Sequence, residues 1–420
     1  MLFKIFIQGV SVICGSLTSP RKAYAMITWK LKRVMQLLKI IWEQNHYDKR
    51  PLQKADKLVI VLIPGDIKIH GGLMSTYNVA ANARMVCPDA LVLVSTYPTD
   101  VTYVHNDYFL NDEKVWRWNL VMRNMKSVKE LTIILGGPKL GTFCYDLTKS
   151  DWKRLKTIAD LRIHVLNQRI DWMCERNEFA KLLDLTKKIS QTTSHKKFDT
   201  QSVCDQFGLP TAYLGIRTPY ERYQRYDYSQ REDLVVFSPD YHEGCEAIIK
   251  KIKDAFPKYS YVTIRDMKHT EYIDWISRAK FVITFGEGWD SYMMDPLVLG
   301  GVSFAVYNDE YFPKGHPWCN SAINIFKSYD EMTNKIVGLM KELAANREKY
   351  EAVGKSFLEH FPVEPLADYQ SRVKRIFDRN FEFYPTPGCE LKLSEAREDP
   401  KGLCKRLRTY IDSIVHPHLH

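Results

Sequence analysis

Several things are missing from this 420-residue chain, and each absence removes a class of protein. No run of about 18 uncharged apolar residues occurs, so no conventional membrane-spanning helix is expected. The nine cysteines are scattered, odd in number and include no Cys-x-x-Cys pair. That argues against a disulfide scaffold or a zinc site and points to reduced thiols in a cytosolic protein. No Asn-x-Ser/Thr acceptor is present, which fits a chain that is not secreted. Most of the length also lacks a charge imbalance. Of the net charge of +10, residues 1–50 carry seven: nine Lys and Arg stand there against Glu43 and Asp48. The near-neutral remainder has no basic stripe to follow a phosphate backbone, so no nucleic-acid partner is expected.

What is present is ordinary for a folded protein: 45% hydrophobic and 26% charged residues, in a length suited to two domains. The basic N-terminus is the exception. Leu2–Leu17 is apolar apart from Lys4, but Arg21 and Lys22 follow where a signal peptide would place a small, uncharged cleavage region. A membrane-seeking helix fits better. Ile27, Leu31, Val34, Met35, Leu38, Ile41 and Trp42 then recur on one helical face, with Lys30, Arg33, Gln36 and Glu43 opposite. A basic amphipathic helix of this kind lies well at an anionic lipid surface, and packs equally well on its own domain or a partner helix. The expectation is that residues 1–46 meet an anionic membrane.

Downstream, short Val- and Ile-rich runs alternate with helical patterns. Leu58–Pro64, Leu91–Thr96, Leu131–Leu135, Leu161–Leu166 and Ala212–Leu214 read as strands. Met74–Val86, Asp151–Ala159 and Glu178–Ile189 read as helices between them. The polar, tyrosine-rich stretch 217–233 breaks the pattern and reads as an interdomain linker. A second series follows, with strands at Leu234–Ser238, Tyr261–Ile264, Phe281–Phe285 and Val302–Tyr307. The fold class expected is α/β: two Rossmann-like, doubly wound domains facing a cleft, with an N-terminal amphipathic helical extension. The boundaries read as extension 1–54, first domain 55–216, linker 217–233, second domain 234–365, and a crossover helix with tail 366–420.

The densest constellation is FVITFGEGWDSYMMDPLVLGGVSFAVY at 281–307. A buried strand leads into Gly286-Glu287-Gly288, then a helix start carrying Asp295, then Gly300-Gly301 and another strand. Glycines allow close backbone approach to a ligand, and a helix N-terminus offers free N–H groups to phosphate. Two carboxylates so spaced can accept hydrogen bonds from hydroxyls on one extended ligand. A Glu-Gly pair after a strand is commonly only a turn; here strand, spacing, second acid and glycine pair occur together.

This run resembles the donor-site motif of retaining GT-B glycosyltransferases, the family of many bacterial capsule and lipopolysaccharide sugar transferases. That motif is Glu, seven residues, Glu; here it reads Glu287 and Asp295. The resemblance implies that Glu287 lies by the donor sugar and acts in catalysis, and that Asp295 binds the nucleotide ribose. The opening strand and the loop His70-Gly71-Gly72 are similar to the family's donor-facing glycine loop. The Arg and Lys that the family usually places after the first strand of the second domain are absent, where Phe237-Ser238-Pro239-Asp240-Tyr241-His242 stands. Arg265, Lys268 and Arg217 are then the cations left to face a diphosphate. His105, Asp66, Asp171 and His164 belong to no motif.

The resemblance thus implies a nucleotide-sugar-dependent hexosyltransferase, retaining, acting on a glycan or lipid-linked glycan acceptor in cell-surface polysaccharide synthesis. It would sit in the cytoplasm, peripherally at the inner face of the membrane. No cofactor and no metal are expected, since no Asp-x-Asp motif occurs in strand context. The alternatives are a nucleotide-sugar epimerase and a non-catalytic GT-B-like partner subunit.

Overall fold

The computed structural model describes residues 35, 38–39, 41–64, 71–100, 113–137, 140–168, 174–265, 267 and 269–396. The expectations for Leu2–Leu17, for Ile27, Leu31 and Val34 of the apolar helical face, and for His70, His105, Asp66, Asp171 and Lys268 lie outside the described residues. The chain divides into two compact units. The first comprises 1–105, 113–216 and 367–420, the second 106–112 and 217–366.

The first unit is built on seven parallel strands: β1 (Lys57–Ile63), β2 (Leu91–Thr96), β3 (Val115–Trp116), β4 (Glu130–Gly136), β5 (Asp160–Asn167), β6 (Ile189–Thr193) and β7 (Thr211–Tyr213). Their order is β3-β2-β1-β4-β5-β6-β7. β1 lies between β2 and β4, with Val59 opposite both Val92 and Thr132. Leu58 to Ile63 are all buried, as a strand covered on both faces requires. Ile60, Leu62, Ile133, Leu135, Ile163 and Val165 share one core with Phe143, Phe179 and Trp118. Helix α1 (Gly71–Val86) follows β1.

The second unit has five parallel strands: β8 (Glu232–Phe237), β9 (Ser260–Thr263), β10 (Ala279–Ile283), β11 (Val302–Val306) and β12 (Ile325–Phe326), in the order β12-β11-β10-β8-β9. Val235, Phe237, Phe281, Ile283 and Phe304 pack on one face. Leu234, Val236 and Val282 pack on the other with Ile273 and Ile276. Among its helices are α2 (Cys245–Ala255), α3 (His269–Arg278) and α4 (Ser291–Val298). Helix α5 (Leu366–Asp378) returns to the first unit and buries Tyr369, Val373 and Ile376. In both sheets the strand order reverses beside the first strand, between β1 and β4 and between β8 and β10. Ligands of such sheets bind beyond the carboxyl ends of the strands at that switch point.

The structure departs from the sequence reading at three places. The span 178–189 is not one helix. A short helix (Arg176–Ala180) and a 3₁₀ turn (Lys181–Asp184) lead into β6. β6 reads Ile-Ser-Gln-Thr-Thr and is wholly buried, so it has none of the apolar run that marks a central strand. Its polar side chains are paired with those of β5 and β7 instead. Second, 217–231 is integral to the second unit. Tyr223 packs with Leu234 and Val236. Arg231, also buried, donates to the carbonyls of Ser277, Ala279 and Leu299. Burial of the rings outweighs the polar composition of the stretch. Third, the helix Arg347–His360, capped by Asn346, has no counterpart in the reading.

Candidate functional site at the carboxyl edge of the second sheet

Ser238 ties the two strands at the switch point together. Its N–H donates to the Ile283 carbonyl at 2.9 Å, and its Oγ accepts from the Phe285 N–H at 3.1 Å. The loops that follow, 238–244 and 284–290, therefore leave the sheet side by side. Gly286 leaves room for the Asp240 side chain: a Cβ on it would stand 2.8 Å from that carboxylate, which would have to move. Gly288 is needed for conformation, with φ of +76°, and a Cβ on it would meet the Val306 carbonyl at 2.6 Å. Between these two glycines Glu287 is exposed.

Asp290 ends the loop and caps α4. Its carboxylate accepts from the Met293 N–H at 3.0 Å and from the Thr284 hydroxyl at 3.1 Å. Burial pushes its pKa up to about 6, helped by the negative charges of Asp240 and Glu287. The N-terminus of α4 already holds a carboxyl group at the place where a phosphate would bind.

Asp295 lies one turn further and is 3% exposed. Tyr220 donates to its Oδ1 at 2.6 Å and Tyr272 to its Oδ2 at 2.9 Å. Burial raises this carboxyl to about 6, against the pull of those two hydrogen bonds. Asp295 thus joins the 217–223 stretch to α3 and α4. Around it, His269 at the start of α3 is lowered to about 4 by burial, and Tyr292 is raised to about 12 by burial.

The other residues singled out in the sequence are placed as follows. Arg265 is exposed in the loop after β9. Arg217 is buried and makes paired bonds to the Glu221 carboxylate at 3.1 and 2.9 Å, and a third to the Glu364 carbonyl. Gly71 and Gly72 begin α1; a Cβ on Gly71 would meet nothing within 4 Å, so no steric need for glycine acts there. His164 is buried in the first sheet, bonded to Ser190 and Thr192 and stacked on Phe381. The sequence reading passed over Asp240, Asp290 and the aromatic pair His242–Tyr329, whose ring centroids stand 3.5 Å apart. Asp290 was legible as a helix N-cap; Asp240 was read as a missing cation rather than as an acid. Among the described residues, no group of three or more His, Cys, Asp or Glu side chains is arranged to hold a metal ion.

No protein family and no curated protein matches the sequence. Solved structures of similar shape include the wall teichoic acid polymerase TagF with CDPG, at 9% identity and a TM-score of 0.41, covering 86% of this chain and 98% of that one. A Glycosylation Associate Protein (Gap123) complex from Streptococcus agalactiae is similar at 11% identity and a TM-score of 0.39, covering 65% of this chain and 60% of that one. Likeness this loose carries no weight for activity, and the architecture rests on the two doubly wound parallel sheets themselves.

Proposed function

We propose that this protein is a nucleotide-sugar-dependent glycosyltransferase whose second unit holds the donor at the loops after β8 and β10. The observation that carries the reading is Glu287: an exposed carboxylate held between Gly286, which leaves room for Asp240, and Gly288, whose φ of +76° calls for glycine, at the switch point of the sheet. In the proposed reaction Glu287 stabilises the sugar as positive oxocarbenium character develops, which is an electrostatic role. Arg265, exposed in the loop after β9, supplies positive charge for the leaving diphosphate in this proposal, and Lys268 is close to it in sequence. Asp295 acts at one remove. Buried and accepting from both tyrosines, it holds Tyr220 and Tyr272, and through them the donor edge, in place.

The acceptor in this proposal is a glycan or lipid-linked glycan at an anionic membrane. In support, Met35, Leu38 and Trp42 are 65%, 47% and 62% exposed and lie on one helical stripe. Gln44 anchors the opposite side, donating to the Val115 carbonyl at 2.9 Å, and Tyr47 packs edge-on against Trp116. Among the described residues no helix is long and apolar enough to cross a membrane.

The deciding experiment is a thermal-shift screen against nucleoside diphosphates, followed by hydrolysis and transfer assays with the nucleotide-sugars of any that stabilise. Stabilisation grows with the logarithm of ligand over Kd, so a specific donor shows as one base far above the others. Absence of stabilisation by all of them removes the donor site. Stabilisation without any turnover leaves a partner subunit that keeps the fold.

A further inference from the structure

The first unit carries a separate polar site at the carboxyl ends of β5 and β6. A cavity of about 10 Å³, room for a single oxygen atom, is lined there by Ser75, Asn167, Gln168, Thr192, Ser194 and Tyr369, with Ile216 also in the wall. Asn167 is 4% exposed, and its Oδ1 accepts no hydrogen bond within the protein. A buried acceptor left unmet is costly, so this atom is informative.

The orientation of that amide follows from the backbone. The Leu209 carbonyl can only accept, so the Thr211 hydroxyl donates to it at 2.9 Å. The Thr211 oxygen then accepts from Gln191 Nε2 at 3.1 Å, which leaves Gln191 Oε1 to accept from Asn167 Nδ2 at 2.9 Å. The donor of Asn167 is used inward, and its oxygen is the atom left over. Ser194 behaves alike: its hydroxyl donates to the Gln168 carbonyl at 2.8 Å, so its oxygen remains an acceptor. The Gln168 amide donates to the Gly72 carbonyl and to Thr76 Oγ1. The amide donors at this cavity are spent inward and the Asn167 oxygen is left over, the hydroxyls of Ser75 and Tyr369 also line it, and none of its lining residues is charged.

Such a lining has no cation to offset the water that a phosphate or carboxylate would lose, and their oxygens bring no donor to the Asn167 oxygen. It also offers an ammonium group no counter-charge for the water it would lose. A hydroxyl fits in size, charge and polarity. Ile216, 54% exposed, offers an apolar surface suited to the C–H face of a sugar ring.

We infer that this socket receives one hydroxyl of a neutral polyhydroxylated ligand, the O–H donating to Asn167 Oδ1. Naming that ligand as the sugar acceptor of a transferase rests on the proposed function; the socket itself does not.

The test is ligand-observed saturation-transfer NMR on the full chain without nucleotide. The probes are the methyl glycosides of glucose, galactose, mannose and N-acetylglucosamine, then glycerol, glucuronate and glucosamine. Saturable binding of at least one neutral glycoside is expected, with glucuronate and protonated glucosamine weaker. Ser194→Val fills the socket and leaves the Asn167–Gln191–Thr211 chain intact. It should weaken that glycoside about fivefold or more, the scale of one hydrogen bond, and Ser194→Ala, which loses the same bond to Gln168 without filling the socket, separates the effect on folding from the effect on binding. Asn167→Val should do the same, and its melting temperature reports whether the inward bond was also needed for folding. The inference is overturned by three results: no saturable binding of any neutral probe, as for a socket that holds only water; equal binding in Ser194→Val; or preference for the uronate or the amine. Since nucleotide is absent, a failed nucleotide screen leaves these results intact, and the converse also holds.

Discussion

Asp295 offers the sharpest physical check, because its environment makes a signed prediction. The carboxyl rises from the ordinary 3.8 to about 6 on folding, chiefly through burial. A pKa raised in the folded state means that the folded protein holds the proton more tightly than the unfolded chain. This contribution to stability is therefore present at low pH and is lost as pH climbs through about 6. For these two values the loss between pH 4.5 and 7.5 is about 2 kcal/mol. Asn at 295 resembles the protonated acid in size and charge, still offers one acceptor to Tyr220 or Tyr272, and does not titrate. The measurement is urea unfolding of wild type and Asp295→Asn at pH 4.5, 6.0 and 7.5, read as the difference between the two chains. Asp290, raised to about 6 by its own burial, is present in both and largely cancels. The variant should gain about 2 kcal/mol on wild type across that range, whatever its offset at pH 4.5. A difference that stays flat with pH would falsify the buried, tyrosine-bonded placement of this carboxyl. It would favour one open to solvent and free to touch a ribose.

Other expectations follow from the same edge and from the N-terminus. Glu287→Gln should lower turnover on the order of a hundredfold, with nucleoside diphosphate binding and melting temperature little changed; undiminished transfer to the acceptor removes Glu287 from the chemistry. Gly288→Ala forces a side chain to φ of +76° against the Val306 carbonyl and should cost about 1–3 kcal/mol in denaturant melts. Gly286→Ala displaces only the movable end of Asp240, so it should cost less stability than Gly288→Ala while impairing nucleotide binding; the reverse ranking counts against the loop geometry. Replacing Met35, Leu38 and Trp42 by Ser should release the protein from anionic liposomes in sedimentation, and raising the salt should do so in part. Truncation before Gln44 should leave the melting temperature intact, whereas truncation through residue 46 removes the Gln44–Val115 bond and should lower it.

Legibility differed by element, for identifiable reasons. β1, β2, β4 and β10 were readable because a strand buried on both faces must be apolar throughout, and Leu58–Ile63 shows nothing else. β6 was not, because Ser190, Gln191 and Thr192 are buried by pairing with His164, Asn167 and Thr211, partners distant in sequence. The tyrosines of 217–228 looked like a linker by composition. Their burial depends on cores to receive them: Tyr223 packs with Leu234 and Val236, and Tyr228 packs edge-on against Tyr350. At the candidate site, the Gly286-Glu287-Gly288 turn was visible as a motif. The neighbourhood of Asp240 and Asp290 was not, since the two loops meet only through Ser238 and the pairing of β8 with β10.

By itself, the sequence carried the class of the fold and the loop in which an acid stands between glycines. Each of these follows from hydrophobic period or from backbone freedom, both local properties. Tertiary structure decided the rest: which carboxylates are exposed and which are buried, whether Arg217 is available or held by Glu221, and which amide oxygen in the first sheet is left without a donor. Those outcomes depend on burial and on hydrogen-bond partners up to dozens of residues away, and no local pattern encodes them.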